Sequence, residues 1–135
     1  MGMIQRDYVL RLIQQLAQAL ARIAGLKRSG QLDEALDDVG ATLNDLFGPL
    51  RQTLDAIDAR SAARLLTDRE RIEAYALLTA EEASILELMG HRARAGAGAQ
   101  RALALLLEAQ VLGHTLSADA QKTLARLRQQ DEDAL

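Results

Sequence analysis

Residues 24–36 read AGLKRSGQLDEAL, and this stretch decides the fold of the chain. Apolar residues recur on both sides of it with helical spacing, which predicts one helix from about Met3 to Arg28 and a second over Leu32–Phe47. Gly30 separates the two, because glycine readily adopts the left-handed conformation that ends a helix. The basic residues just before Gly30 suit the negative end of a helix dipole. The first third of the chain is therefore predicted to be a helical hairpin.

The rest of the sequence continues the helical pattern. Further helices are predicted over 50–57, 67–78, 80–95, 99–113 and 118–130, with a helical turn over 59–66, and residues 131–135 are expected to fray. Thr67 and Thr79 each stand three positions before a glutamate, the capping-box spacing that marks a helix start. The Gly96–Gly98 segment is interpreted as a turn. Segment 99–113 is strongly apolar, with few polar positions, and is predicted to be a central helix.

The composition favours a single all-α domain over residues 1–135. Hydrophobic residues make up 49% of the sequence, aromatic residues only 2%, and there is one proline. Alanine and leucine supply most of the hydrophobic content, and both are strong helix formers. We predict about six or seven helices: a long hairpin over 3–47, and stacked helices over 50–130.

Charge and residue usage exclude several classes of protein. A net charge of −3 argues against a general nucleic-acid binder, which normally carries a basic surplus. No apolar run reaches the roughly 20 residues that span a bilayer, and no signal peptide is visible. With no cysteine in the sequence, disulfides and thiolate metal sites are excluded. We expect a cytoplasmic protein without membrane contact, and the alanine- and arginine-rich composition suggests a bacterial source.

The Gly30–Ala35 run, Gly-Gln-Leu-Asp-Glu-Ala, resembles the turn between the two helices of a tetratricopeptide repeat. Residues 93–110 form a weaker second copy, in which Ala102 follows Ala35 by 67 residues, about twice the roughly 34-residue repeat period. The resemblance implies stacked helix pairs whose grooves accept peptides or helices. The Met3–Tyr8 opening and the same turn are also similar to a family of small bacterial proteins of unknown function. That similarity implies a fold and a source, but no activity.

The first helix has an apolar face wider than one surface helix needs. The extra surface is covered either by a later helix of the same chain or by a second subunit, and the sequence leaves both open. Leu10 falls away from the main apolar stripe, so an apolar partner there would be informative. The residues predicted to form a subunit interface are Tyr8, Val9, Leu10, Leu12, Ile13 and Leu16.

One basic and one acidic cluster of side chains are candidate binding sites for a ligand of opposite charge. Four arginines in the middle of the chain form a candidate site for a nucleic acid or another anion: Arg60, Arg64, Arg69 and Arg71. The favoured role for them is pairing within the chain with the carboxylates of Asp55, Asp58, Asp68 and Glu73. The acidic residues of the second helix, from Asp33 to Asp38, are interpreted as a solvated face that suits a helix N-terminus.

No catalytic, cofactor or metal site is predicted. The two histidines are His91 and His114, and Glu87 precedes His91 by one helical turn. A metal site needs at least one more ligand, and a general base needs a reacting partner. The leading hypothesis is therefore a non-enzymatic protein-interaction module that forms a homodimer through its first helix or binds a partner protein. Binding of an anion by the arginine cluster is the alternative, and an enzyme built on His91 ranks last.

Overall fold

The computed structural model describes the backbone of residues 2–134 and the side chains of residues 6–134. This part of the chain folds into seven helices and contains no strand, which confirms the all-α prediction. The helices are α1 Gly2–Arg28, α2 Leu32–Phe47, α3 Leu50–Ala56, α4 Ala59–Leu66, α5 Arg69–Leu88, α6 Arg92–Val111 and α7 Ala118–Asp133.

The turn between α1 and α2 has the form predicted for it. Gly30 has a φ of 75°, in the left-handed region. Its N–H donates to the Lys27 carbonyl at 3.1 Å, and the next N–H, from Gln31, donates to the Leu26 carbonyl at 2.9 Å. These two bonds are the Schellman motif, which satisfies carbonyl groups at a helix C-terminus.

The same turn recurs between α5 and α6, centred on Gly90. Gly90 has a φ of 87°, its N–H donates to the Glu87 carbonyl, and the His91 N–H donates to the Leu86 carbonyl. The predicted turn over Gly96–Gly98 is wrong, because both glycines lie inside α6. The turns at Gly30 and Gly90 lie 60 residues apart, and a third turn of the same form follows α6 at Gly113, which has a φ of 92°.

Thr67 and Thr79 do not open helices. Thr79 lies inside α5, where its hydroxyl donates to the Tyr75 carbonyl at 2.7 Å, so it is not free to cap a helix start. Thr67 ends α4 with a φ of 69°, and Asp68 takes the position before α5. The predicted helix boundary near residue 79 is thus wrong, since α5 continues through it to Leu88.

The most central helix is α5, while α6, which contains most of segment 99–113, packs against α4, α5 and α7. Helix α5 contacts α1, α2, α4, α6 and α7, and every residue from 72 to 80 is buried. Helix α6 leaves one side open, with Val111 73% exposed. Helix α7 extends to Asp133, past the predicted start of fraying at residue 131; Leu135 lies outside the described residues. Within the described range, no helix combines the length and apolarity that crossing a bilayer requires.

Candidate functional site

The inner side of α1 packs against α2 and α5. Leu12, Ala19 and Ile23 are buried there in the core of the chain itself. Two ion pairs fix the helix: Arg22 Nη2 lies 3.0 Å from Asp38 Oδ1, and Lys27 Nζ lies 3.1 Å from an oxygen of Glu81. The Arg22 hydrogen bond lowers the pKa of Asp38 below its usual value. These buried residues and ion pairs together hold α1 against α2 and α5.

The outer side of α1 remains uncovered. Leu10 and Ile13 on this side are 49% and 44% exposed. Tyr8 is 42% exposed, but at 100° per residue it lies on the inner side, near the N-terminal end of the helix. Val9 and Leu16 are half-buried at the boundary, and Leu12 alone among the six predicted interface residues belongs to the core. Packing within the chain thus accounts for one side of the wide apolar face and leaves the other side exposed.

A regular apolar stripe runs along this outer side. The intervals between its members alternate between three and four residues, which is the spacing of a coiled-coil seam. The charged residues between its ends, Arg11 and Arg22, lie on the opposite side of the helix at 100° per residue. In the sequence, Leu10 stands apart from the main apolar stripe of α1, and the alternating spacing of three and four residues is the signal that places it in a second stripe. The outer stripe consists of Leu10, Ile13, Ala17, Leu20 and Ala24. The first three are exposed, and the last two are half-buried, with Leu20 packed against the core.

A polar cavity of about 310 Å³ lies between α2, α3, α5 and α6. Its polar walls come from three helices, and the sequence gave no local signal for it because these residues are far apart in the chain. On α5 the lining residues lie along one face of the helix. On α6 they include two small residues, Ala97 and Gly98. The charged and hydroxyl groups that line it are Arg51, Asp55, Tyr75, Thr79, Glu82, Arg94 and Arg101.

The deep end of the polar cavity is a closed hydrogen-bond network. The Tyr75 hydroxyl donates to Asp55 Oδ1 at 2.7 Å and accepts from Arg101 Nη2 at 3.2 Å. Arg101 also donates to the carbonyls of Leu54 and Ile57 at the end of α3. Burial, together with the hydrogen bond to Asp55, raises the pKa of Tyr75 to about 12. Tyr75 therefore stays protonated at neutral pH and acts as a donor.

Arg51 forms the second wall of the polar cavity. Its Nη1 donates to Asn44 Oδ1 at 2.9 Å and to the Gly40 carbonyl at 3.1 Å, which ties α3 to α2. Its Nε lies 3.4 Å from Asp55 Oδ2, but it is buried and makes no hydrogen bond. One donor of Arg51 is thus left without a hydrogen-bond acceptor.

Glu82 and Arg94 line the same cavity without a direct partner. Neither side chain forms a hydrogen bond or an ion pair with the described part of the chain. Burial raises the pKa of Glu82, and the charge of Asp55 acts in the same direction, whereas Arg51 and Arg94 partly oppose the shift. The cavity therefore holds one carboxylate and one guanidinium group that the protein itself does not pair.

Replacing Glu82 with Gln should stabilise the protein at pH 7. The pKa of Glu82 is higher in the folded protein than in the unfolded chain, so ionisation of this carboxyl group lowers the free energy of unfolding. The loss is absent below the unfolded-state pKa and grows as the pH rises towards the folded-state pKa. We expect a gain on the order of 0.5 kcal/mol at pH 7, which disappears below about pH 4. Urea unfolding at both pH values measures it, with exposed Glu87→Gln as the control. A Glu82→Gln variant less stable than wild type at pH 7 would contradict the expectation.

The predicted arginine cluster is only partly available for an anion. Arg69 Nη2 donates to Glu70 at 3.2 Å, and its Nε lies 3.7 Å from Glu73. Arg60 and Arg64 are exposed and form no ion pair with the described side chains, while Arg71 is half-buried. The expected pairing with Asp58 and Asp68 does not occur, because the Asp58 carboxylate instead accepts the Ser61 N–H at 2.7 Å and caps α4.

The histidines lie apart from each other and from any metal-binding arrangement. His91 is in the turn before α6, and His114 Nε2 lies 2.8 Å from the Thr67 carbonyl, joining the α6–α7 loop to the end of α4. Within the described residues, no three histidine or carboxylate side chains come together as a metal ion would require. A second cavity of about 410 Å³, between α5, α6 and α7, is lined mainly by alanine and leucine side chains.

The chain matches none of the protein-family models, curated proteins or solved structures with which it was compared. Two structural features of the chain bear on its function: the outer stripe of α1 and the polar cavity.

Proposed function

We propose that this chain is a non-enzymatic interaction module that forms a homodimer through the outer stripe of α1. The observation that supports the proposal is the exposure of Leu10 and Ile13 at nearly half of their side-chain surface, on a helix fixed in place by its inner side. Large apolar side chains exposed in a continuous stripe are typical of interaction sites.

The geometry of the outer stripe suits a second copy of the same helix. Ala17 and Ala24 alternate with larger residues, so two stripes related by a two-fold axis can interdigitate, as knobs fit into holes in a coiled coil. The outer stripe runs from Leu10 to Ala24, about 21 Å along the helix, or roughly four turns of contact. Gln14 flanks the stripe, so this edge brings no like charges together.

The helix arrangement supports an interaction role of this kind. The hairpins α1–α2 and α5–α6 are joined by the same Schellman turn, and they pack on each other through α1, α2 and α5. We propose that they form a tetratricopeptide-like stack, in which such exposed helix faces serve as docking surfaces. Binding of an anion through Arg60 and Arg64 is the weaker candidate, because Arg69 is already paired with carboxylates.

Substituting both Leu10→Glu and Ile13→Glu should halve the mass of the protein in solution. Light scattering should give the wild type about twice the chain mass of 14.7 kDa and the variant a single chain mass, since four buried carboxylates would oppose the dimer. The matched control is Gln15→Glu with Gln18→Glu, which adds the same charge on the opposite side of α1 and should leave the dimer intact.

Two outcomes of this experiment would overturn the proposal. One is a wild-type protein that stays monomeric at about 100 µM, well above the Kd range of stable dimers. The other is a Leu10→Glu, Ile13→Glu variant that keeps the wild-type mass. Circular dichroism of both variants confirms that each monomer is folded, which is expected because the four substituted positions are exposed.

A further inference from the structure

The polar cavity is built by facing positions on an antiparallel pair of helices. Tyr75, Glu82 and Leu86 line it from α5, at helical spacing. Arg101 and Arg94 line it from α6 opposite them, separated by Ala97 and Gly98. Gly98 packs against Ala83 of α5 and Ala97 is exposed, so the cavity lies on the outer side of this close helix contact and is open to solvent.

Hydrogen bonds hold most of the polar side chains in the wall of this cavity. The two charged side chains at its outer end, Glu82 and Arg94, have no partner among the described residues. Tyr75, Asp55 and Arg101 hold each other by hydrogen bonds, and Arg51 is held by α2. Glu82 and Arg94 do not form an ion pair with each other, although Arg94 is close enough to influence the Glu82 carboxylate. Glu82 is half-buried, whereas Arg94 is exposed. A half-buried carboxylate without a partner is costly, so a cation that pairs with Glu82 gains more than it would at the surface.

We propose that this cavity binds a small zwitterion of the amino-acid class, with its carboxylate on Arg94 and its ammonium group on Glu82. The two unmatched groups have opposite signs, so a ligand with a single charge would leave one of them without a partner. The Arg94 guanidinium group can bind a carboxylate through two parallel hydrogen bonds. The cavity volume of about 310 Å³ suits a small metabolite.

Binding of a ligand in the polar cavity does not require the dimer, because the cavity is formed by α2, α3, α5 and α6, whereas the outer stripe is on α1. The test is a titration of isotope-labelled protein with single L-amino acids up to about 10 mM, followed by amide NMR shifts. Propionate and ethylamine serve as probes that carry one of the two charges each. At least one amino acid is expected to shift amides around Glu82, Arg94 and Ala97, and to bind at least about tenfold more tightly than either single-charge probe, a difference of about 1.4 kcal/mol.

The variants Glu82→Gln and Arg94→Gln should each weaken that binding by about tenfold or more. Loss of binding in Glu82→Gln cannot be attributed to unfolding, because this variant is expected to be at least as stable as wild type. The matched controls are Glu87→Gln and Arg92→Gln, which lie on the same two helices outside the polar cavity and should leave the affinity unchanged.

Three results would overturn the inference. The first is the absence of any shift in this region with every amino acid tested. The second is propionate or ethylamine binding as tightly as the best amino acid, which would indicate a simple ion site. The third is wild-type affinity in both Glu82→Gln and Arg94→Gln.

Discussion

Replacing Arg101 with Met is expected to lower the free energy of unfolding by about 2–4 kcal/mol. The guanidinium group donates to the carbonyls of Leu54 and Ile57 and to the Tyr75 hydroxyl. It also lies 5.6 Å from the centre of the Tyr75 ring, within the range of a cation–π contact. Methionine fills a similar volume but offers no donor, so the carbonyls at the end of α3 would be left without their partner.

Two further variants separate the loss of hydrogen bonds from the loss of charge. Arg101→Lys keeps the charge but cannot reproduce the fork of donors, so an intermediate loss of stability is expected. Arg128→Met removes an exposed arginine that makes no hydrogen bond with the described residues, and it should stay within about 0.5 kcal/mol of wild type. Denaturant unfolding gives all three values. An Arg101→Met protein as stable as Arg128→Met would show that α6 does not hold the end of α3 in this way.

Replacing Gly98 with Val is expected to cost about 1–3 kcal/mol. A Cβ atom at Gly98 would lie 3.2 Å from the Cβ of Ala83 on α5, closer than ordinary van der Waals contact. Ala83 is buried and its Cβ is fixed to the backbone, so the two helices would have to move apart. Because α5 and α6 form the most extensive helix contact in the described chain, this displacement would spread through the core.

Gly96 provides a matched control two residues away. It is exposed, it lies in the same helix, and a Cβ added there meets nothing within 4 Å. Gly96→Ala should therefore stabilise α6 by about 0.5–1 kcal/mol, the difference in helix propensity, and Gly96→Val should cost nothing. Thermal and denaturant unfolding of the four proteins, wild type included, test the pair of sites. Equal stability of Gly98→Val and Gly96→Val would contradict the close approach of α5 and α6.

The candidate sites were only partly predictable. The apolar width of α1 pointed to an interface, but which of its residues are exposed depends on how α2 and α5 cover the helix. Leu12 and Leu10 illustrate this: both are leucines two positions apart, and one is buried while the other is 49% exposed. The polar cavity could not be predicted, because Asp55, Tyr75 and Arg101 meet only when three helices pack together.

The all-α class and the α1–α2 hairpin were determined by the sequence itself, because both rest on local properties. Helical spacing of apolar residues and the left-handed freedom of Gly30 act within a few residues of each other. The positions of α5 and α6 were decided by the tertiary structure. The capping signal at Thr79 and the glycines at 96 and 98 favour breaks by about 1 kcal/mol each. Burial of α5 on all sides, with Thr79 satisfied by the Tyr75 carbonyl and Gly98 packed against Ala83, outweighs these local preferences.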